Sequence, residues 1–144
     1  MEIVTPVDSY RGRQVDPLWS PSVTVIEVLL SVKISQKTYH GIRAKYVDEL
    51  LWDLPGGESL LWVFDDGYVL RLCQEMYQQG PRIMNDSLQF DIEAIIGSYQ
   101  NDTGNVFLGI KWRGCDHPTW ELEDDLVRCG VFSSNFELKF WRGM

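Results

Sequence analysis

The apolar runs of this 144-residue chain are short, and turn formers close each one before it reaches a long helix's length. Residues 23–30 read Val-Thr-Val-Ile-Glu-Val-Leu-Leu, a β-branched stretch of the kind that packs well on a pleated surface. Residues 38–47 predict a second strand, led in by Tyr39 and His40. Pro55-Gly56-Gly57 marks a turn. Residues 60–64 (Leu-Leu-Trp-Val-Phe) predict a buried strand, closed by the turn Asp65-Asp66-Gly67. Residues 68–76 support two readings. Val69, Leu72, Cys73 and Met76 stand at helical spacing, while Tyr68-Val69-Leu70 would continue a hairpin.

After Gly80-Pro81 the cycle begins again. Residues 90–97 alternate and predict a strand, 100–105 form a polar turn, and 106–112 (Val-Phe-Leu-Gly-Ile-Lys-Trp) predict the next strand. Residues 113–118 turn the chain into a third short strand, 119–122. Beyond Glu123, Asp124 and Asp125, a terminal helix is expected over about 134–141, capped by Ser133 or Ser134. The fold class expected is α+β, mainly β. Two small modules are expected, residues 22–80 and 88–144, preceded by an N-terminal extension, 1–21. An internal echo suggests an old duplication, with chance as the alternative: Gly41-Ile42-Arg43 and Trp52-Asp53-Leu54 recur 68 positions on as Gly109-Ile110-Lys111 and Trp120-Glu121-Leu122.

The net charge of −8 is evenly divided: residues 1–80 hold eleven acids and seven bases, and residues 81–144 hold ten and six. An acidic surface repels phosphate backbones, which argues against nucleic acid as the main ligand. It suits a basic partner, or it serves only to keep the chain soluble. Three cysteines, Cys73, Cys115 and Cys129, form no paired framework and point to a reducing compartment. Cys115 and His117 lack the second ligand pair that zinc needs, so no metal is expected. Residues 1–22 hold no apolar run of the signal-peptide kind, and no stretch is long enough to cross a bilayer. A soluble protein with no membrane association is expected.

Catalytic chemistry has no foothold in the motifs. There is no Gly-rich phosphate loop, no Ser elbow and no His-containing metal motif, so neither an enzyme nor a cofactor is expected.

The most specific pattern lies in residues 106–126. There Phe-Leu-Gly-Ile-Lys-Trp-Arg-Gly-Cys-Asp-His-Pro-Thr-Trp-Glu-Leu-Glu-Asp-Asp-Leu resembles the chromodomain signature. That signature has a strand ending in Lys-Trp-Lys-Gly-aromatic, followed by Thr-Trp-Glu-Pro-Glu and Asn-Leu. Phe90-Asp91-Ile92-Glu93-Ala94-Ile95-Ile96 resembles the family's first strand. The resemblance implies a curved three-stranded sheet of SH3-like or chromodomain type, with a helix across one end. It also implies a methyl-lysine cage, with Phe90 and Trp112 as two walls and Cys115 where the third aromatic belongs. Cation–π attraction makes each wall worth about 0.5–2 kcal/mol, so the cage is incomplete. Phe90 could instead be core, and Trp120 is expected in the core.

The family takes its peptide as an added strand. The resemblance places that groove at Asp91, Ile92 and Glu93 on one side, with Asp116, Glu121, Glu123, Asp124 and Asp125 facing it. These acids would favour an Arg-Lys ligand, or they form a solvated turn.

The first module resembles a degenerate chromodomain, with Ala44 at the cage Trp position, or a Tudor domain. The Tudor likeness rests on Tyr39-His40-Gly41 and on Phe64-Asp65-Asp66-Gly67-Tyr68. By it, Tyr39, Tyr46, Phe64, Asp66 and Tyr68 are candidates for a second cage. The resemblance as a whole implies a nuclear, chromatin-associated reader of a histone tail, methylated in an Ala-Arg-Lys-Ser context. The alternative is a degenerate scaffold holding a partner protein's basic segment within a silencing or remodelling complex.

Overall fold

A computed structural model describes residues 1–6, 8–15, 23–46, 53–54, 58–65, 67, 70–73, 83–84, 87–88, 91–115 and 117–129. Two units divide the chain, Met1–Gly80 and Pro81–Met144. Both are built on antiparallel sheet, and the described residues add one short α-helix, in the second unit, so the chain is mainly β.

The first unit begins with β1 (Glu2–Val4) and a 3-10 turn (Asp8–Tyr10). A long hairpin follows, made by β2 (Val23–Ile34) and β3 (Lys37–Tyr46). Then come β4 (Asp53–Leu54), β5 (Glu58–Asp65) and β6 (Leu70–Leu72). The sheet order is β1-β2-β3-β5-β4, with β6 also on β5. The hairpin reading of residues 68–76 therefore holds for Leu70–Leu72, where Leu70 faces Asp65 across the ladder. The N-terminal residues expected as an extension are instead part of this sheet: β1 pairs with Ser31, Val32 and Lys33.

Alternation along the strands gives the core its members. Val23, Val25, Ile42, Ala44, Leu61, Val63 and Leu70 form one buried cluster, which Val15 completes from the N-terminal segment. On the other face Arg43 bridges its neighbours, with guanidinium contacts to Glu27 at 3.3 Å and to Glu58 at 2.5 Å. Opposite charges on adjacent strands support the register that burial already sets.

In the second unit, β7 (Ile83–Met84) and β8 (Ser87–Leu88) form a small ladder, most of it between the two expected modules. The main sheet is β11-β10-β9, from β9 (Ile92–Gln100), β10 (Val106–Trp112) and β11 (Thr119–Leu122). The polar turn before β10 is fixed by the Asn101 side chain. Its Oδ1 accepts from Thr103 N–H (3.1 Å), Thr103 Oγ1–H (2.8 Å) and Asn105 N–H (2.9 Å). Helix α1 (Glu123–Arg128) then starts directly after β11. Glu123, Asp124 and Asp125 form its first turn and Arg128 its last, as the helix dipole favours. The helix expected at 134–141 lies outside the described residues.

The two hairpins share one register. In the first, Val25, Glu27, Val28 and Leu30 pair with Ala44, Arg43, Ile42 and Gly41, which leaves Ile26 and Leu29 out of the ladder. In the second, Ile92, Ala94, Ile95 and Gly97 pair with Trp112, Lys111, Ile110 and Gly109, which leaves out Glu93 and Ile96. Both bulges thus fall at matching places, and each adds bend and twist. The third strand agrees: Gly41 opposes Trp62, and Gly109 opposes Trp120. The first tripeptide of the sequence echo is structural. The second is corrected, because Trp62-Val63-Phe64, and not Trp52-Asp53-Leu54, occupies the place of Trp120-Glu121-Leu122.

The β2–β3 turn generates a prediction. Ser35 sits at φ 58°, a left-handed conformation that costs an L-residue about 1–2 kcal/mol. Ser35→Gly removes that strain but gains freedom when unfolded. The expected net effect is a stabilisation of about 0.5 kcal/mol. A denaturation midpoint that falls would contradict the strain at Ser35.

Candidate peptide-binding edge and aromatic sites

Trp112 ends β10 and is 0% exposed. It packs with Ile95, Leu108, Ile110 and Leu126, and partly buried Ile92, Cys115 and Cys129 close around that cluster. Its indole N–H donates to Thr119 Oγ1 at 2.8 Å, and the Thr119 hydroxyl in turn donates to Glu121 Oε2. Glu121 is also 0% exposed. A buried carboxylate and a buried indole N–H both need partners, and this chain supplies them to each other through one threonine. Two expectations are therefore corrected. Trp112 is a sealed core residue here, not an open cage wall, and Glu121 is core, not groove. Trp120, expected in the core, is 1% exposed.

Cys115 does lie beside Trp112. It is a half-buried free thiol, and its N–H donates to the Trp112 carbonyl at 3.2 Å. Phe90 and Asp116 lie outside the described residues. Of the cage that the sequence implies, the described residues are Trp112 and Cys115, and Trp112 is closed off in the core.

The groove side is different. Asp91 is exposed, and Ile92 and Glu93 are half-buried at the start of β9. Arg113 N–H donates to the Asp91 carbonyl at 2.8 Å, which makes Ile92–Trp112 a non-hydrogen-bonded pair of the ladder. The Ile92 N–H and C=O therefore point away from β10. Among the described residues, β9 pairs on one side only. Glu93, the bulged residue, lies 3.6 Å from Lys111 Nζ, and that ammonium also donates to the Trp112 carbonyl at 2.7 Å. Glu123 and Asp125 are half-buried on α1, Asp124 is exposed, and Asp125 pairs with Arg128.

In the first unit, Tyr39 and Phe64 are cross-strand partners with ring centroids 6.1 Å apart. Tyr39 is 6% exposed and Phe64 half-buried, and Lys37 Nζ sits 4.8 Å from the Phe64 centroid. The face of that ring already holds a cation from this chain. Tyr46 pairs with Val23 at the far end of β3, about 20 Å along the strand from Tyr39, so the two cannot share one cage. Asp66 and Tyr68 lie outside the described residues, as does the side chain of Tyr46.

A polar cluster in the first unit escaped the sequence reading. Tyr10 donates to Asp65 Oδ2 at 2.5 Å, and its ring lies 4.8 Å from that of His40. Ser31 Oγ and His40 Nδ1 share a hydrogen bond of 2.7 Å, while His40 Nε2 is buried with no hydrogen-bond partner among the described residues. Burial lowers the His40 pKa, with Asp65 opposing. The hydrogen bond from Tyr10 lowers that of Asp65, and burial together with Asp65 pushes Tyr10 up to about 12. Asp65 followed by Gly67 announces its own turn, whose Gly67 N–H donates to Asp65 Oδ1 at 2.8 Å. A contact spanning 55 positions announces nothing in the sequence. Among the described residues no group of three or more side chains could hold a metal.

The chain matches no family model, no curated protein and no solved structure.

The His40 environment predicts a pH dependence. A histidine held neutral by burial contributes its full stability above its ordinary pKa of 6.5 and loses it as pH falls below that value. Stability should drop between pH 7 and 5, and His40→Gln should flatten that slope. An equally steep slope in the variant would place the titration elsewhere.

Proposed function

We propose that this chain is a non-enzymatic, chromatin-associated module whose second unit takes a basic, histone-tail-type peptide as an added strand along the start of β9. The observation that carries the reading is the outward N–H and C=O of Ile92, flanked by Asp91 and Glu93, on an edge with no described partner. Backbone pairing supplies the binding, and the exposed Asp91 favours lysine and arginine. The chromodomain likeness of residues 90–126 supports this reading. So does a helix following the third strand. A nuclear location and membership of a larger chromatin complex belong to the same proposal.

Methyl-lysine recognition is the weaker part. It needs an accessible aromatic face, and Trp112 is sealed by its bond to Thr119. That observation favours the second reading, a degenerate scaffold that binds a partner's basic segment without sensing methylation. Titration with unmodified and trimethylated tail peptides separates the two. The expected result is binding of both with dissociation constants within about threefold, which corresponds to well under 1.4 kcal/mol. More than tenfold preference for the methylated peptide would mean that Trp112 opens, and no binding of either would remove the histone-tail proposal.

Two substitutions extend the test. Asp91→Lys, at an exposed position, should weaken the basic peptide about threefold or more while the fold is retained, since rim charges steer association. Cys115→Tyr places a ring against the packed Trp112 cluster, and overpacking should destabilise the unit by about 1–3 kcal/mol without any gain in binding. Tighter trimethyl-lysine binding at unchanged stability would instead restore the cage.

A further inference from the structure

Residues 11–15 belong to no tight hairpin of the first unit, yet they lie in its sheet. Gly12 N–H donates to the Val25 carbonyl, Val25 N–H to the Arg13 carbonyl, and Val15 N–H to the Val23 carbonyl, each at 2.8 Å. Gln14 opposes Thr24 in antiparallel sense, and Val15 bridges Leu70 of β6 in parallel sense. The segment is therefore sandwiched between the start of the hairpin and the strand that follows β5. Val15, 2% exposed, plugs the core beside Val23, Val25 and Leu70.

The shared register gives this arrangement its meaning. Val25 holds the position in the first hairpin that Ile92 holds in the second. The same two backbone groups that point to an edge without a described partner at Ile92 are bonded, at Val25, to residues 12 and 13. One strand-accepting edge thus occurs twice, and in the first unit the chain fills it itself.

We infer that the first unit is a second strand-accepting site, occupied in cis by residues 11–15 and clasped by the Tyr10–Asp65 hydrogen bond. The clasp is local: Tyr10 reaches Asp65 on β5, its ring rests near His40, and Arg13 lies 5.1 Å over that ring. A ligand that displaces the strap must share its chemistry. It is an extended segment with a β-branched apolar residue at the place of Val15 and an arginine at the place of Arg13. Because the strap is tethered, its effective concentration is on the order of millimolar, so a free peptide meets a filled edge.

The test uses the full chain and a fluorescent synthetic peptide with the sequence of residues 8–17. The peptide should bind the Val15→Asp chain at least tenfold more tightly than the wild-type chain, and a peptide carrying Asp in place of that valine should bind neither. Both chains have the same second unit, so the difference reports on the first unit alone and stands whatever the second unit binds. A Val15→Asp chain that keeps its β-sheet circular dichroism but gains no affinity overturns the inference.

Tyr10→Phe provides an independent reading should Val15→Asp unfold. In that variant the amides of Gly12, Val15 and Val25 should exchange with deuterium at least tenfold faster, while amides of the β3–β5 ladder hold their rates. Uniform acceleration across the unit would show an ordinary core strand and would also overturn the inference.

Discussion

A strand edge leaves its backbone groups to be satisfied by something, and most of this chain's organisation follows from how its two hairpins set that edge. Dropping one residue from the ladder at Ile26 and another at Leu29 curls the first hairpin; Glu93 and Ile96 do the same to the second. The bulges decide which residues turn their N–H and C=O outward. Val25 and Ile92 therefore hold equivalent positions in the two ladders. One is paired by the N-terminal strap, and the other defines the candidate peptide edge.

The strand plan was legible because it rests on local chemistry. Residues 106–112 and 119–122 were read as strands with the limits they have in the structure, since β-branched and aromatic runs stand between Asn, Gly and Pro turns. What escaped was set at a distance. The strap 11–15 carries no strand signal of its own and becomes sheet only because Val23 to Val25 offer backbone partners and a core that lacks Val15. Helix α1 was missed because Glu123-Asp124-Asp125 looks like a solvated turn until Leu126 is seen buried beneath it.

The site was legible in part for the same reason. Asp91, Ile92 and Glu93 could be placed at a strand's beginning from alternation alone, and they lie there. Trp112 could not be read correctly from its neighbours, because its burial depends on Thr119 and Glu121, which belong to another strand. A hydroxyl that both accepts from the indole and donates to a carboxylate lets two polar groups be buried at once. In the first unit Lys37 covers Phe64 in a similar way, by a contact internal to the chain. Trp112 and Phe64, two of the aromatics that look like cage walls in sequence, are thus engaged by side chains a strand away.

The central claim is that a basic peptide joins the sheet at Ile92. Residue-resolved amide hydrogen exchange of the full chain, with and without an unmodified histone-tail peptide, tests it most directly. The Ile92 amide should gain at least tenfold protection on peptide addition, while the Arg113 amide, already bonded to Asp91, should change little. Protection that appears elsewhere on the second unit and leaves the Ile92 amide as it was would contradict strand addition.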